Sequence, residues 1–434
     1  MTEAPLTAEP LMAQISSGAL AGNASAPLVE PRRAAVAFIL FTVFLDIVAL
    51  GIIIPVLPAL VVRFMDGDTP HAAEIYGIFG TVWALMQFLF SPVIGALSDR
   101  FGRRPIVLIS NFGLGLDYVL MALAPNLIWL FVGRIIAGIT ASSISASAAY
   151  IADVMPAEKR ASAFGLIGVA FGLGFVLGPA LGGLLGSINL HLPFWVAAAL
   201  SLTNAIYGIF VLPESLPADR RRPFSWKRAN PVGSLTLLRC HPELTGLSMV
   251  HFLYTLAHTV LPSAFVLYTS YRYGWDERTV GLSMGGFGIC MIIVQGFLVK
   301  PVVARFGERP TLMAGLAFAV VGFAIYGFAP TSTVFWLGVP VVALWGLYGP
   351  ASQGLMTQRV LPTEQGQLQG ALTSILGITG MIGPGLFTLT FAHFITPGRH
   401  IELPGAPFLV ASGLLFCALL LAWRVTRPAN KTAK

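Results

Sequence analysis

Long apolar runs recur along this chain at nearly even intervals, and no other feature of the sequence restricts its fold as sharply. A helix needs roughly 20 apolar residues to cross about 30 Å of hydrocarbon. Runs of that kind fall near residues 34–60, 74–98, 106–124, 127–152, 160–186 and 192–212. After a polar stretch they resume near 244–269, 278–300, 311–329, 332–354, 368–395 and 406–423. Turns as short as Ala124 to Asn126 and Ala329 to Ser332 leave room only for antiparallel neighbours. Of the 434 residues, 56% are hydrophobic and 10% charged, against about 25% charged in soluble chains. Lipid is therefore the solvent for most of the chain, and its backbone polar groups must be satisfied inside helices. The expectation is an all-α membrane protein with twelve transmembrane helices.

Orientation follows from lysine and arginine. With the N-terminus inside, the short cytoplasmic segments hold 21 of the 26 basic residues and the outer loops hold four, Arg63, Arg272, Arg278 and Arg399. The remaining one, Arg134, lies inside a run. This asymmetry predicts that both termini are cytoplasmic. The same placement explains the net charge of +7 without nucleic acid, because the basic residues form short clusters between apolar runs instead of one binding face. Cys240, Cys290 and Cys417 have no metal-ligand spacing and form no disulfide framework.

The proline- and arginine-rich stretch 213–243 is too short to bury a core of its own. It reads as a cytoplasmic linker between two bundles of six helices, 34–212 and 244–423, with cytoplasmic tails at 1–33 and 424–434. The bundles repeat each other. Gly95 to Pro105 after the second run has a weaker copy in Val303 to Pro310, 205 residues later. Val154, Pro156 and Glu158 recur as Val360, Pro362 and Glu364, and Gly178-Pro179 recurs as Gly383-Pro384. Two pseudo-symmetric halves place a solute path at their interface, near the middle of the bilayer.

Charges inside the runs are few. Asp46 sits mid-way through the first run, before Gly51, Pro55 and Pro58. At 1.5 Å per residue, Asp117 lies about 16 Å in from the cytoplasmic face and Arg134 about 10 Å in from the outer face. These depths predict an Asp117–Arg134 pair. An acid in hydrocarbon is costly unless paired, hydrated or protonated, so a small rearrangement around Asp46 or Asp117 is able to load or release a proton. Permanent structural pairing is the alternative. Gln87, Asn111, Ser143, His258, Gln295 and Gln353 are candidates to line a polar cavity, although interhelical hydrogen bonding is the commoner use of such side chains. No phosphate loop, nucleophile elbow or metal motif is present, which argues against an enzyme.

Two local patterns carry more specific meaning. Asp99-Arg100-Phe101-Gly102-Arg103-Arg104 resembles the signature loop between the second and third spans of major facilitators, where charge pairs latch the cytoplasmic side. Gly174, Gly178, Pro179, Gly182 and Gly183 set small residues at close spacing around a proline, a packing seam. They also resemble the Gly-Pro signature that antiporters of that superfamily carry in the fifth span.

Taken with Trp83 to Pro92, Leu116 to Tyr118, Gly133 to Thr140, Ala149 to Asp153 and Gln365 to Gly370, these patterns resemble the tetracycline efflux group of drug:proton antiporters. The resemblance implies the major facilitator fold and export of small drug-like compounds in exchange for protons by alternating access, with no cofactor. It implies a multi-pass, monomeric protein of a bacterial inner membrane, whose partners are a small-molecule substrate, protons and the bilayer. It puts Asp46, Asp117 and Arg134 on the group's intramembrane charges, and Asp99, Arg103, Arg104, Asp153 and Arg160 on its gating charges. The sequence departs from the pattern at Met291 and Ala319, which stand where the group has a histidine and an aspartate. A metabolite carrier without proton coupling, or a receptor or scaffold that kept the fold, are the alternatives.

Overall fold

The structure is a computed structural model, which describes residues 33–141, 143–155, 157–226, 242–361, 364–398 and 402–427. These residues form helices and turns and contain no strand. Eleven helical segments are long and apolar enough to cross a membrane, and Leu127–Thr140 is a shorter twelfth that continues into Ser143–Val154. The twelve spans expected from the sequence are thus present. Their outer surfaces remain apolar, with Phe210 82% and Phe297 72% exposed, as contact with lipid requires.

Among the described residues five spans are interrupted: the first, fourth, seventh and tenth, and the eighth by a π-helical turn, Val294–Leu298. The first runs Arg33–Ile53 and resumes as Leu57–Phe64; Pro55 lacks the N–H needed to continue the ladder and Pro58 opens the second piece. The fourth breaks between Leu127–Thr140 and Ser143–Val154, where the Thr140 hydroxyl bonds back to the Ile136 carbonyl at 2.9 Å. The seventh breaks at Thr259, between Pro242–His258 and Val260–Tyr273. Its hydroxyl donates to the Leu256 carbonyl at 2.7 Å, three residues before Pro262. The tenth tightens to a 3-10 turn, Leu344–Leu347, ahead of Pro350. The first and seventh spans break at corresponding places, as do the fourth and tenth, so these breaks follow the duplication of the halves. Hydropathy gives each of these spans as one run, because it registers the length of a run and is blind to a broken hydrogen-bond ladder.

Both copies of the signature loop turn on a glycine with positive φ, Gly102 at 106° and Gly307 at 82°. Each closes a helix, the Gly102 amide bonding the Ser98 carbonyl at 3.1 Å and the Gly307 amide the Val303 carbonyl at 2.8 Å. A side chain is strained in that region, so the repeat is preserved here at the level of backbone geometry.

Two large clusters of buried side chains fill the molecule. One gathers first-half residues such as Leu57, Phe79, Tyr118 and Phe194. The other gathers Tyr268, Phe323, Trp345 and Phe408 of the second half, with Ala73 of the second span joining it. Glycines bring the halves together. Gly183 of the fifth span packs on Gly281 of the eighth, and Gly80 of the second on Pro384 of the eleventh. The Tyr76 hydroxyl donates across the halves to the Pro262 carbonyl at 3.0 Å, and Thr81 to the Met381 carbonyl at 3.1 Å. Gly183, Gly281, Tyr76 and Pro262 all lie towards the face away from the linker, where the halves are clasped.

Candidate functional site

The intramembrane charges converge in the first half. Asp46, Asp117 and Arg134 are 5%, 1% and 8% exposed, too deeply buried for bulk water to solvate them. Each is delivered by a different span, the first, third and fourth. A cavity of about 30 Å³ is lined by Asp46, Gln87, Trp83, Tyr118 and Arg134, among others. That volume takes a water or two and no drug-sized molecule. Acid, guanidinium, amide and water-sized space together suit proton handling better than solute binding.

The expected Asp117–Arg134 pair is not a direct one. No ion pair joins these two among the described residues; Arg134 Nη2 instead reaches Met121 Sδ at 3.5 Å. Both Asp117 carboxylate oxygens and Arg134 Nε lack hydrogen-bond partners among the described residues. Asp117 lies against Gly133, where a Cβ would stand 3.1 Å from Oδ1. The depth estimate was sound along the helix axes, but each helix also has a rotation about its axis, which turns the arginine towards the Asp46 cavity.

The remaining cavity candidates disperse. Gln87 lines the water-sized cavity. Asn111 is buried, its Oδ1 without a partner among the described residues. Gln295 is exposed on a π-helical turn, Val294–Leu298, and Gln353 is exposed on the tenth span. The side chains of Ser143 and Arg160 lie outside the described ones.

His258 is exposed on the seventh span and stacks on the buried Trp345, ring centroids 4.4 Å apart. One helical turn back, Tyr254 stacks on Tyr348 at 3.7 Å, and the Tyr348 hydroxyl lies 3.4 Å from His251 Nδ1. His251, Tyr254 and His258 share one helix face by their spacing, and the tenth span backs that face with rings. Sequence reasoning singled out His258 and missed the aromatic wall, although Tyr254 at the matching spacing was a usable signal. Met291 accepts from the Trp345 indole at 3.1 Å, and Ala319 is fully buried. The second half is thus aromatic and apolar at both positions where the sequence lacks charge.

At the linker face, Arg103 holds two acids, Asp99 at 2.7 Å and Asp153 at 3.0 Å. Arg104 Nη2 donates to the Ile209 carbonyl at 2.6 Å, and Arg100 lies over the Phe101 ring at 5.0 Å. Glu214 was not anticipated. Its Oε1 accepts from the backbone amides of Arg103, Ser215 and Leu216 at 2.8, 3.0 and 3.0 Å, which fastens the start of the linker to the loop. An acid between Pro213 and Pro217, just past a span, was the signal available.

The antiporter-like glycines form two seams. Gly174, Gly178 and Gly182 face Ile47, Gly51 and Ile52 of the first span, while Gly183 faces the eighth. Pro179 lies inside the continuous helix Ala157–Gly186. The fifth span is thereby wedged between the span bearing Asp46 and the opposite half.

Twelve membrane-crossing helices in two clasped halves, the first and fourth broken at places that recur in the seventh and tenth, with charges buried at mid-depth, define a membrane transporter of the carrier type. The chain belongs to the Major Facilitator Superfamily, whose model matches residues 37–257 and 247–434. It is 40% identical to the class C tetracycline resistance protein of Escherichia coli, over 82% of this chain and 89% of that one. To the class E protein of the same organism it is 35% identical, over 91% and 96%. Its fold matches a bacterial homologue of the human lysosomal transporter Spinster with a TM-score of 0.73 at 18% identity, over 92% and 98% of the two chains.

Proposed function

We propose that this protein exports tetracycline-like or other small drug-like compounds in exchange for protons, by alternating access, across a bacterial inner membrane with both termini cytoplasmic. The observation that carries the proton coupling is the water-sized cavity where Asp46, Gln87 and Arg134 meet, with Asp117 buried beside the fourth span. A solute path between the halves is the natural place for the drug, with the ring face of His251, Tyr254 and His258 on one side of it. In this reading a proton enters while the carrier is open outward. Rocking about the glycine seams then exposes Asp46 and Asp117 to the cytoplasmic side, where the proton leaves as substrate binds. Asp99, Arg103 and Asp153 hold the loop on the linker side through that motion. The gradient is the only energy source this scheme needs, and a monomer suffices.

The similarity to tetracycline resistance proteins supports the substrate class. Met291 and Ala319 favour a second reading, a carrier of the same fold without proton coupling, because the second half offers no acid at either position. Transport into everted vesicles, with and without an imposed proton gradient, separates the two. Gradient-dependent uptake of tetracycline or of an unrelated drug is expected. Uptake indifferent to the gradient leaves the uncoupled carrier, and no uptake of any compound leaves a non-transporting receptor.

A further inference from the structure

The linker begins with a feature that transport does not account for. Arg220, Arg221 and Arg222 are consecutive and exposed, and Phe224 and Trp226 follow at once. The two rings meet edge to face with centroids 5.0 Å apart, and Trp226 is 73% exposed. Lys227 and Arg228 come next in the sequence. A free polar connector has no use for an exposed tryptophan.

The segment is fixed in place. Arg222 donates its backbone N–H to the Asp99 carbonyl at 3.0 Å, three residues before the second span ends at Gly102. Tyr150 donates to the Pro213 carbonyl at 3.0 Å, and Arg221 Nη2 lies 3.8 Å from Glu214. These ties hold Arg221 and Arg222 against the linker-side end of the second span, and Phe224 and Trp226 follow within four residues. Between the segment and the loop is a cavity of about 410 Å³, lined by Asp99, Arg103, Asp153, Leu216, Arg220 and Arg222. Arg103 is already engaged by the two acids, whereas Arg220 and Arg222 make no ion pair among the described residues.

We propose that this segment docks the headgroup of an anionic phospholipid from the leaflet on the linker side. The two unengaged guanidiniums match a phosphate, which they can hold through paired hydrogen bonds. Tryptophan is favoured at the membrane–water boundary, where its ring lies in the apolar layer and its N–H in the polar one. Each basic residue near an anionic surface strengthens attraction about fivefold. The lipid phosphate would thereby bridge the linker to the loop that carries Asp99 and Arg103. This assignment does not depend on which solute is carried.

The test uses the full chain with Cys240, Cys290 and Cys417 replaced by serine and a polarity-sensitive dye on Ser225→Cys. Reconstitution is in vesicles of phosphatidylcholine alone or mixed with phosphatidylglycerol. Dye emission should shift to the blue in the mixed vesicles, and salt should reverse the shift because exposed charges are screened. Arg220→Gln with Arg222→Gln should weaken the phosphatidylglycerol dependence about 25-fold, two fivefold steps. Lysine at both positions should retain most of it. Equal emission in the two vesicle types, or an undiminished shift in the double glutamine variant, overturns the proposal. So does an equal shift when free glycerol 3-phosphate is added to vesicles of phosphatidylcholine alone, which would mark a soluble-anion site.

Discussion

Gly183 in the fifth span and Gly281 in the eighth approach so closely that a Cβ on either would lie 2.8 Å from the Cα of the other. Real Cβ atoms do not stand that near a backbone carbon, so the contact requires glycine on both sides. It is one of the places where the two halves touch, on the face away from the linker.

Gly183→Ala and Gly281→Ala are each expected to push the helices apart at a cost of about 1–3 kcal/mol. Both should lower the melting temperature in detergent and shift the carrier towards the form that opens on this face. Gly413→Ala is the control, because nothing lies within 4 Å of the Cβ it would add. Differential scanning fluorimetry, with cysteine accessibility from each side, reads both effects. A Gly183→Ala protein as stable as the control would contradict the seam.

The two copies of the signature loop should differ in their tolerance of alanine. Gly102→Ala meets backbone strain of about 1–3 kcal/mol and also overlaps the Glu214 carboxylate, which Gly102 faces. Gly307→Ala meets the strain alone, since the space around it is open. Membrane abundance and melting temperature should fall further for the first than for the second. Equal losses would mean that the Glu214 clasp contributes nothing.

Arg103 is shared between Asp99 and Asp153, so neither acid should be dispensable for cycling. Asp99→Asn and Asp153→Asn are expected to reduce transport about tenfold, within the usual range of conformational coupling, with substrate affinity unchanged. Removing both should add little beyond the first loss, because the arginine is a common partner. Paired equilibrium-binding and vesicle-flux measurements decide this, and parallel loss of binding and flux would count against a gating role.

The buried charges predict an asymmetry between removing one and removing two. Arg134→Leu takes away the guanidinium that lines the cavity with Asp46, and because a buried charge without compensation is costly, abundance in the membrane should fall. Adding Asp117→Leu should recover much of that abundance but no gradient-driven transport. Asp46→Asn and Asp117→Asn, nearly isosteric, are each expected to abolish gradient-driven uptake in everted vesicles while substrate counterflow survives. Full gradient-driven uptake in both would remove these acids from the coupling step.

Much of this protein is written in one dimension. The count of spans comes from apolar length, and the repeat from a nearly constant offset; both survive folding unchanged because helices in lipid satisfy their own backbone. Gly102 was readable as a turn residue for the same local reason. The breaks in the fourth, seventh and tenth spans were less legible. They depend on hydroxyls such as those of Thr140 and Thr259 turning back on their own carbonyls, and on Pro262 and Pro350, whose missing N–H leaves hydropathy untouched.

Tertiary structure alone decided who meets whom. Depth along a helix is fixed by 1.5 Å per residue, so the levels of Asp117 and Arg134 were computable in advance. Rotation about each helix axis is set by packing against neighbours distant in sequence, and it carried Arg134 to Met121 and the Asp46 cavity. The same long-range packing fastened Glu214 to the Arg103 amide, 111 residues away, and pressed Gly183 onto Gly281. The sequence by itself determined a twelve-helix membrane protein with a duplicated plan, because burial in lipid is a local demand on each segment. Contacts between segments depend on side-chain shape at a few ångströms, and only the folded chain sets those distances.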